Sequence, residues 1–249
     1  MVLERNWEHQ APMYSRIYSR GTADYASTLI DLEKAFQLRD RRVRCIDEGT
    51  PGGIRLTGLG ILLGFDKAIE VLREAKVEGV HPHEGCGACD LHAKKVCTET
   101  KPDEIGIEWG KKLAAELGVP YSGFISADAM SRPREGHIAR AAYYDGTGRF
   151  DCTGSLGLPP GFVVSRRHLN NHVDYARSEA EIAITIALGP HGYGMERITD
   201  ETPFMLVAIG DPADPMHSTE RLMDELRPLE LKLNGAVRVD GFTAPGRRI

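Results

Sequence analysis

Three side chains far apart in this sequence have the types needed to hold one metal ion: Cys45, His83 and Cys86. Cys45 lies in Cys45-Ile46-Asp47, and the other two lie in His83-Glu84-Gly85-Cys86. Two thiolates and one imidazole suit a borderline-soft ion such as zinc, and cobalt or cadmium accept the same donors. Three protein ligands leave a fourth position for water, whereas a structural site normally fills all four. An ion with an open position can activate that water.

Elements that could bring these donors together are legible in the hydrophobic pattern. Residues 42–47 and 77–80 read as short buried strands, the first carrying Cys45 and Asp47 toward its end and the second ending just before His83. Residues 60–75, 86–96 and 102–117 read as helices, with Pro102 suited to a first turn. Residues 120–125 read as a further strand. This strand–helix alternation predicts a mainly parallel sheet flanked by helices. In such sheets ligands sit beyond the carboxyl ends of the strands, so Cys45 and His83 should emerge at one edge. Residues 1–20 read as an arm or short helix, and residues 24–38 as an amphipathic helix. In the second half, residues 138–144 and 150–153 flank Asp145-Gly146-Thr147-Gly148, which is a hairpin signal. Helices are expected at 174–188 and 217–226, strands at 204–210 and 235–239, and a loose tail at 246–249. The whole reads as one α/β domain: an N-terminal arm and helix (1–40), a metal-binding core (41–126), and a sheet extension with an antiparallel hairpin and covering elements (127–249). No internal repeat is apparent.

Composition narrows the function classes. The formal net charge of −5 argues against a nucleic-acid surface. No run of apolar residues is long enough to span a bilayer, and the first residues lack the basic-then-apolar pattern of a leader. Five cysteines are an odd number, three of them crowded between Cys86 and Cys97. That pattern fits metal or thiol chemistry in a reducing compartment, the cytoplasm, better than a disulfide framework.

Together the two ligand segments resemble the β-class carbonic anhydrases, which pair Cys-x-Asp-x-Arg with His-x-x-Cys. Cys45-Ile46-Asp47 matches the first motif and His83-Glu84-Gly85-Cys86 the second, with Gly87 and Ala88 resembling the family's small-residue helix entry. The resemblance covers about residues 42–98. The cadmium-using carbonic anhydrases carry a related Cys/His/Cys site. The resemblance implies a zinc-dependent lyase in which a metal-bound hydroxide attacks CO2 to give bicarbonate, in a homodimer or larger assembly. It assigns Cys45, His83 and Cys86 to the metal and Asp47 to orienting the hydroxide. The family's arginine two positions after the aspartate is Gly49 here, and Arg55 is the nearby residue that could reach back. Two other outcomes stay open at this point. Asp47 as a fourth ligand would close the site into a non-catalytic sensor or buffer. The same hydroxide could also hydrolyse carbonyl sulfide or carbon disulfide.

Several rival readings concern the remaining residues. Cys86, Cys89, His92 and Cys97 could form a structural zinc cluster, although one helix closes a tetrahedron poorly. Cys86 and Cys89 could form a redox pair. The run Gly58-Leu59-Gly60-Ile61-Leu62-Leu63-Gly64 misses the dinucleotide-loop spacing by one residue and better suits close backbone packing. His168 and His172 are four apart, as on one helical face, without the glutamate of a metalloprotease helix. One of His168, His172, His191 and His217 could shuttle protons.

Overall fold

The computed structural model describes residues 2–233 and 235–246, so the expected loose tail falls largely outside the described residues. In chain order the main elements are α1 (Val2–Arg20), α2 (Thr22–Ser27), β1 (Arg42–Arg44), β2 (Ile54–Arg55), α3 (Phe65–Glu74), β3 (Gly79–Val80), α4 (Gly87–Val96), α5 (Pro102–Leu117), β4 (Ala141–Asp145), β5 (Phe162–Val164), α6 (Val173–Leu188), β6 (Phe204–Gly210), α7 (Thr219–Lys232) and β7 (Val237–Thr243). The chain divides into two compact units, where one domain was expected. One is Arg39–Ser131, which contains the expected core at 41–126; the other combines Met1–Leu38 with Arg132–Ile249.

In the unit Arg39–Ser131 a parallel sheet runs in the order β2-β1-β3. Single parallel bridges, Val80 with Tyr121 and His83 with Ile125, add the expected strand 120–125 beside β3. Soon after pairing, β1 leads into the loop that carries Cys45 and β3 into the loop that carries His83. Helix α5 starts at Pro102, carries Asp103 and Glu104 in its first turn, and stops at Gly118 with φ of +67°. Each feature matches the polarity of a helix, with acids at the N-terminus and glycine after the last turn. The helix expected at 60–75 begins later, at Phe65. Gly58, Leu59 and Gly60 are left-handed instead, inside a 3-10 segment (Thr57–Leu63).

The second unit holds a sheet in the order β5-β4-β6-β7, parallel throughout. Every residue of β6 is buried, as its continuous apolar run requires of a strand covered on both faces. Helix α1 is longer than an arm and buries Tyr14 and Ile17 in a core with Met205, Val207 and Phe242. The helix expected at 24–38 is instead the short α2 followed by a 3-10 turn, Leu32–Phe36.

The expected antiparallel hairpin is absent among the described residues. Asp145 accepts hydrogen bonds from the Thr147 backbone N–H and hydroxyl, both at 2.7 Å, so the turn is closed by a side chain. The chain then runs on, and Phe162–Val164 returns as a parallel neighbour of β4. The turn residues were read correctly, but the partner strand was not the next one. His168 ends a 3-10 turn (Arg166–His168) and His172 precedes α6, so the two do not share a helical face. Among the described residues no helix is long and apolar enough to cross a membrane.

Candidate metal centre

Strands β1 and β3 are neighbours, with Val43 opposite Val80. Leaving β1, the chain delivers Cys45; leaving β3, it delivers His83. Cys86 then occupies the cap position of α4, in extended conformation (φ −69°, ψ 111°). The His83–Cys86 loop is fixed at several points. Gly85 takes φ of +69°, a conformation that favours glycine, and its N–H donates to Asp103 Oδ1 at 2.8 Å. Glu84 Oε2 accepts from the Ala127 N–H at 2.8 Å.

These elements bring the three expected ligands together. Cys45, His83 and Cys86 offer donor atoms that all lie within 4.8 Å of one another, and all three residues are buried. The two sulfurs are 4.0 Å apart. A tetrahedral ion with metal–sulfur bonds of about 2.3 Å separates two sulfurs by about 3.8 Å. The spacing therefore fits two ligands of one ion without a disulfide, and all five cysteines are free. His83 Nδ1 lies 2.9 Å from the Glu84 carbonyl oxygen. A carbonyl can only accept, so Nδ1 carries the proton and Nε2 holds the lone pair a metal needs. Nε2 is buried and makes no hydrogen bond. The donor types, the spacing and this orphaned nitrogen all fit a divalent ion.

Asp47 is buried next to the set but is not one of the three mutually close donors. Its Oδ1 accepts from the Gly49 N–H at 2.8 Å, which closes the turn after Cys45. Arg55, also buried, reaches back to the loop through backbone acceptors. Its guanidinium donates to the carbonyls of Cys45 (3.0 Å), Asp47 (3.2 Å) and Thr50 (2.8 Å), and pairs with the Thr50 hydroxyl. One cation thus ties down the loop carrying the first ligand.

Without an ion, these donors hold their protons tightly. The Cys45 thiol is pushed well above its ordinary range by its hydrogen bond with Cys86 and by burial. For Cys86 the Cys45 contact works downward, but the neighbouring Cys89 thiol and burial raise it overall. Burial alone would lower His83. The nearby Cys45 and Asp47 charges outweigh it and lift the imidazole to about 9.

Sequence reasoning expected the glycine run to pack backbone beside the site but missed the particular contact it makes. Gly58 donates its N–H to Cys45 Sγ at 3.3 Å, and a Cβ there would lie 2.6 Å from Ala88 Cβ. The glycine run therefore packs backbone against the ligand sulfurs, and Gly58 through Ile61 are buried, which leaves no phosphate cradle. Thr50 was also missed; its hydroxyl bonds the Cys45 and Asp47 carbonyls. The only available signals were the glycine spacing and a threonine in a tight loop.

The alternative zinc cluster does not assemble. Cys97 is exposed at the end of α4, and His92 turns toward Trp109, ring centroids 6.4 Å apart. Among the described residues no group of mutually close donors includes Cys89, His92 or Cys97. Neither a family model, nor a curated protein, nor a solved structure matches this chain.

Proposed function

We propose that this chain is a divalent-metal enzyme of the β-carbonic-anhydrase type that hydrates CO2 to bicarbonate. The observation that carries the reading is the buried Cys45–His83–Cys86 set, with His83 Nε2 free of any hydrogen bond. Cys45, His83 and Cys86 would hold the ion, zinc by preference of two thiolates and an imidazole. A bound divalent ion supplies the Lewis acidity that makes water nucleophilic near neutral pH.

The rest of the chemistry falls to side chains and backbone. Two thiolates balance the charge of a divalent ion, so the site can be buried without a net charge. Asp47, outside the ligand set, would accept a hydrogen bond from the O–H of that water and so aim its oxygen lone pair at the substrate carbon. Arg55 keeps Cys45 and Asp47 in one rigid loop through their carbonyls. Burial suits a small, weakly polar substrate such as CO2. Thiolate ligands also favour a reducing compartment, the cytoplasm.

CO2 hydration by metal-loaded protein, followed by stopped flow, tests this reading. Asp47→Ala is expected to keep its metal and lose about 100-fold or more in rate, the ordinary worth of a positioned proton acceptor. Metal retained without any hydration would assign a closed sensor or buffer site. Turnover of carbonyl sulfide or carbon disulfide alone would change the substrate but keep the site.

A further inference from the structure

The Cys45 sulfur has a hydrogen-bond donor from outside its own loop, and that donor stands on a turn that needs holding. The Gly58 N–H reaches the sulfur at 3.3 Å. Gly58 is the first of three left-handed residues, followed by Leu59 and Gly60. Leu59 is the costly one: it is not glycine, its φ is +61°, and it is buried. Such a conformation persists only where the surroundings hold it.

Two bonds hold Leu59. Within the 3-10 segment and its flank, its N–H donates to the Leu56 carbonyl at 2.9 Å. From outside, its own carbonyl accepts from Trp109 Nε1 at 3.2 Å. Trp109 lies on α5, and its indole is clamped in place. It meets the Phe65 ring edge-on, with centroids 5.5 Å apart and planes at 87°, and lies against His92 of α4. Lys112, three residues further along α5, sets its ammonium 4.0 Å from the centre of the Phe65 ring. All of these residues belong to the unit Arg39–Ser131.

The direction of the indole N–H carries information. Trp109 borders an open cavity of about 290 Å3, shared with Ile61, His92 and Val96. A half-buried indole usually finds a polar partner for its N–H, and at an open surface water serves. Here the N–H is turned inward, onto the carbonyl of the residue next to the donor that serves Cys45. A hydrogen bond to a ligand sulfur draws charge from it, and such outer partners both orient ligands and tune the metal.

We propose that Trp109 is a positioning residue for the metal centre: through the Leu59 carbonyl, its indole N–H holds the Gly58 N–H on the Cys45 sulfur. That contact limits the charge the thiolate gives to a bound ion, which leaves the ion more Lewis-acidic toward water. The inference deepens the metal reading of Cys45, His83 and Cys86 and rests on it.

The test uses the full-length chain loaded with cobalt, whose thiolate-to-metal charge-transfer absorption reports how strongly the sulfurs donate. Trp109→Phe keeps an aromatic ring beside Phe65 and His92 and removes the N–H. It is expected to move the band to longer wavelength and to weaken zinc about 10-fold in competition with a chelator. A Trp109→Phe chain that is merely less stable, with its band unmoved, overturns the proposal, because a packing role would not change sulfur donation. Should Trp109→Phe fail to fold, NMR of the wild type decides. The chain has two tryptophans, and Trp7→Phe assigns their indole signals. The Trp109 N–H signal is expected to shift on zinc loading; a signal that zinc leaves in place overturns the proposal. A wild type whose cobalt complex lacks any thiolate band sinks the metal reading and this inference with it, whereas a wild-type band that Trp109→Phe leaves unmoved sinks this inference alone.

Discussion

The backbone N–H of Gly58 donates to the Cys45 sulfur across 3.3 Å from a residue with φ of +53°. A left-handed stretch of three residues, including the non-glycine Leu59, is thus held against a ligand thiol. Gly58→Ala should cost about 1–3 kcal/mol for backbone strain alone, and more because its Cβ would meet Ala88. Denaturant unfolding of the metal-free chain measures this, and an unchanged midpoint would mean the turn relaxes freely. Zinc affinity should fall as well, since the variant displaces the donor to Cys45.

Metal uptake should be coupled to proton release. Both thiols hold their protons above the ordinary range, and His83 does so up to about 9. Ligation needs thiolates and a neutral imidazole, so binding near pH 7.5 should expel about two protons from the thiols, and His83 adds to that. Affinity should rise with pH, the His83 share ending at about 9 and the thiol share continuing above it. Calorimetry in buffers of different ionisation enthalpy counts the protons, and a count near zero would contradict the ligand assignment.

Arg55→Met should weaken fold and site together. It removes a donor from three buried carbonyls, those of Cys45, Asp47 and Thr50, although the first two keep bonds from Thr50. Each buried acceptor left unsatisfied costs about 1–3 kcal/mol before water relieves it. Thermal unfolding and chelator competition should move in the same direction; loss of stability with intact zinc affinity would detach Arg55 from the site.

Acid should loosen the second unit at a definite point. The hydrogen bond from His217 comes first, followed by the Met216 N–H and Arg167, in holding the Asp214 carboxyl at about 2. That is below the unfolded value of about 3.9, so its contribution is full above that pH and is lost as pH falls through about 2. A carboxyl-carbon NMR titration should place Asp214 there, and Arg167→Gln should move it upward. A midpoint near 4 in wild type would mean the Arg167–Asp214 contact does not persist in solution.

What the sequence disclosed follows from how local the information is. The run Phe204–Gly210 and the Pro102-to-Gly118 helix announce themselves through continuous apolarity and end signals. The three donors that the fold brings together were legible because donor type and spacing are carried by single residues. The hairpin was misread because Asp145-Gly146-Thr147-Gly148 states only that the chain turns, while pairing with Phe162–Val164 is decided by the sheet as a whole. The helix read from residue 60 starts at Phe65 because Gly58, Leu59 and Gly60 take a left-handed path that brings the Gly58 N–H to Cys45.

X-ray absorption at the zinc edge of the zinc-loaded chain reads the central claim most directly. The account predicts one ion per chain, with two sulfurs at about 2.3 Å, one imidazole nitrogen at about 2.0 Å and one further light oxygen; Cys45→Ser should remove a sulfur or the ion itself. A coordination shell without sulfur, or no stoichiometric ion at all, would contradict it.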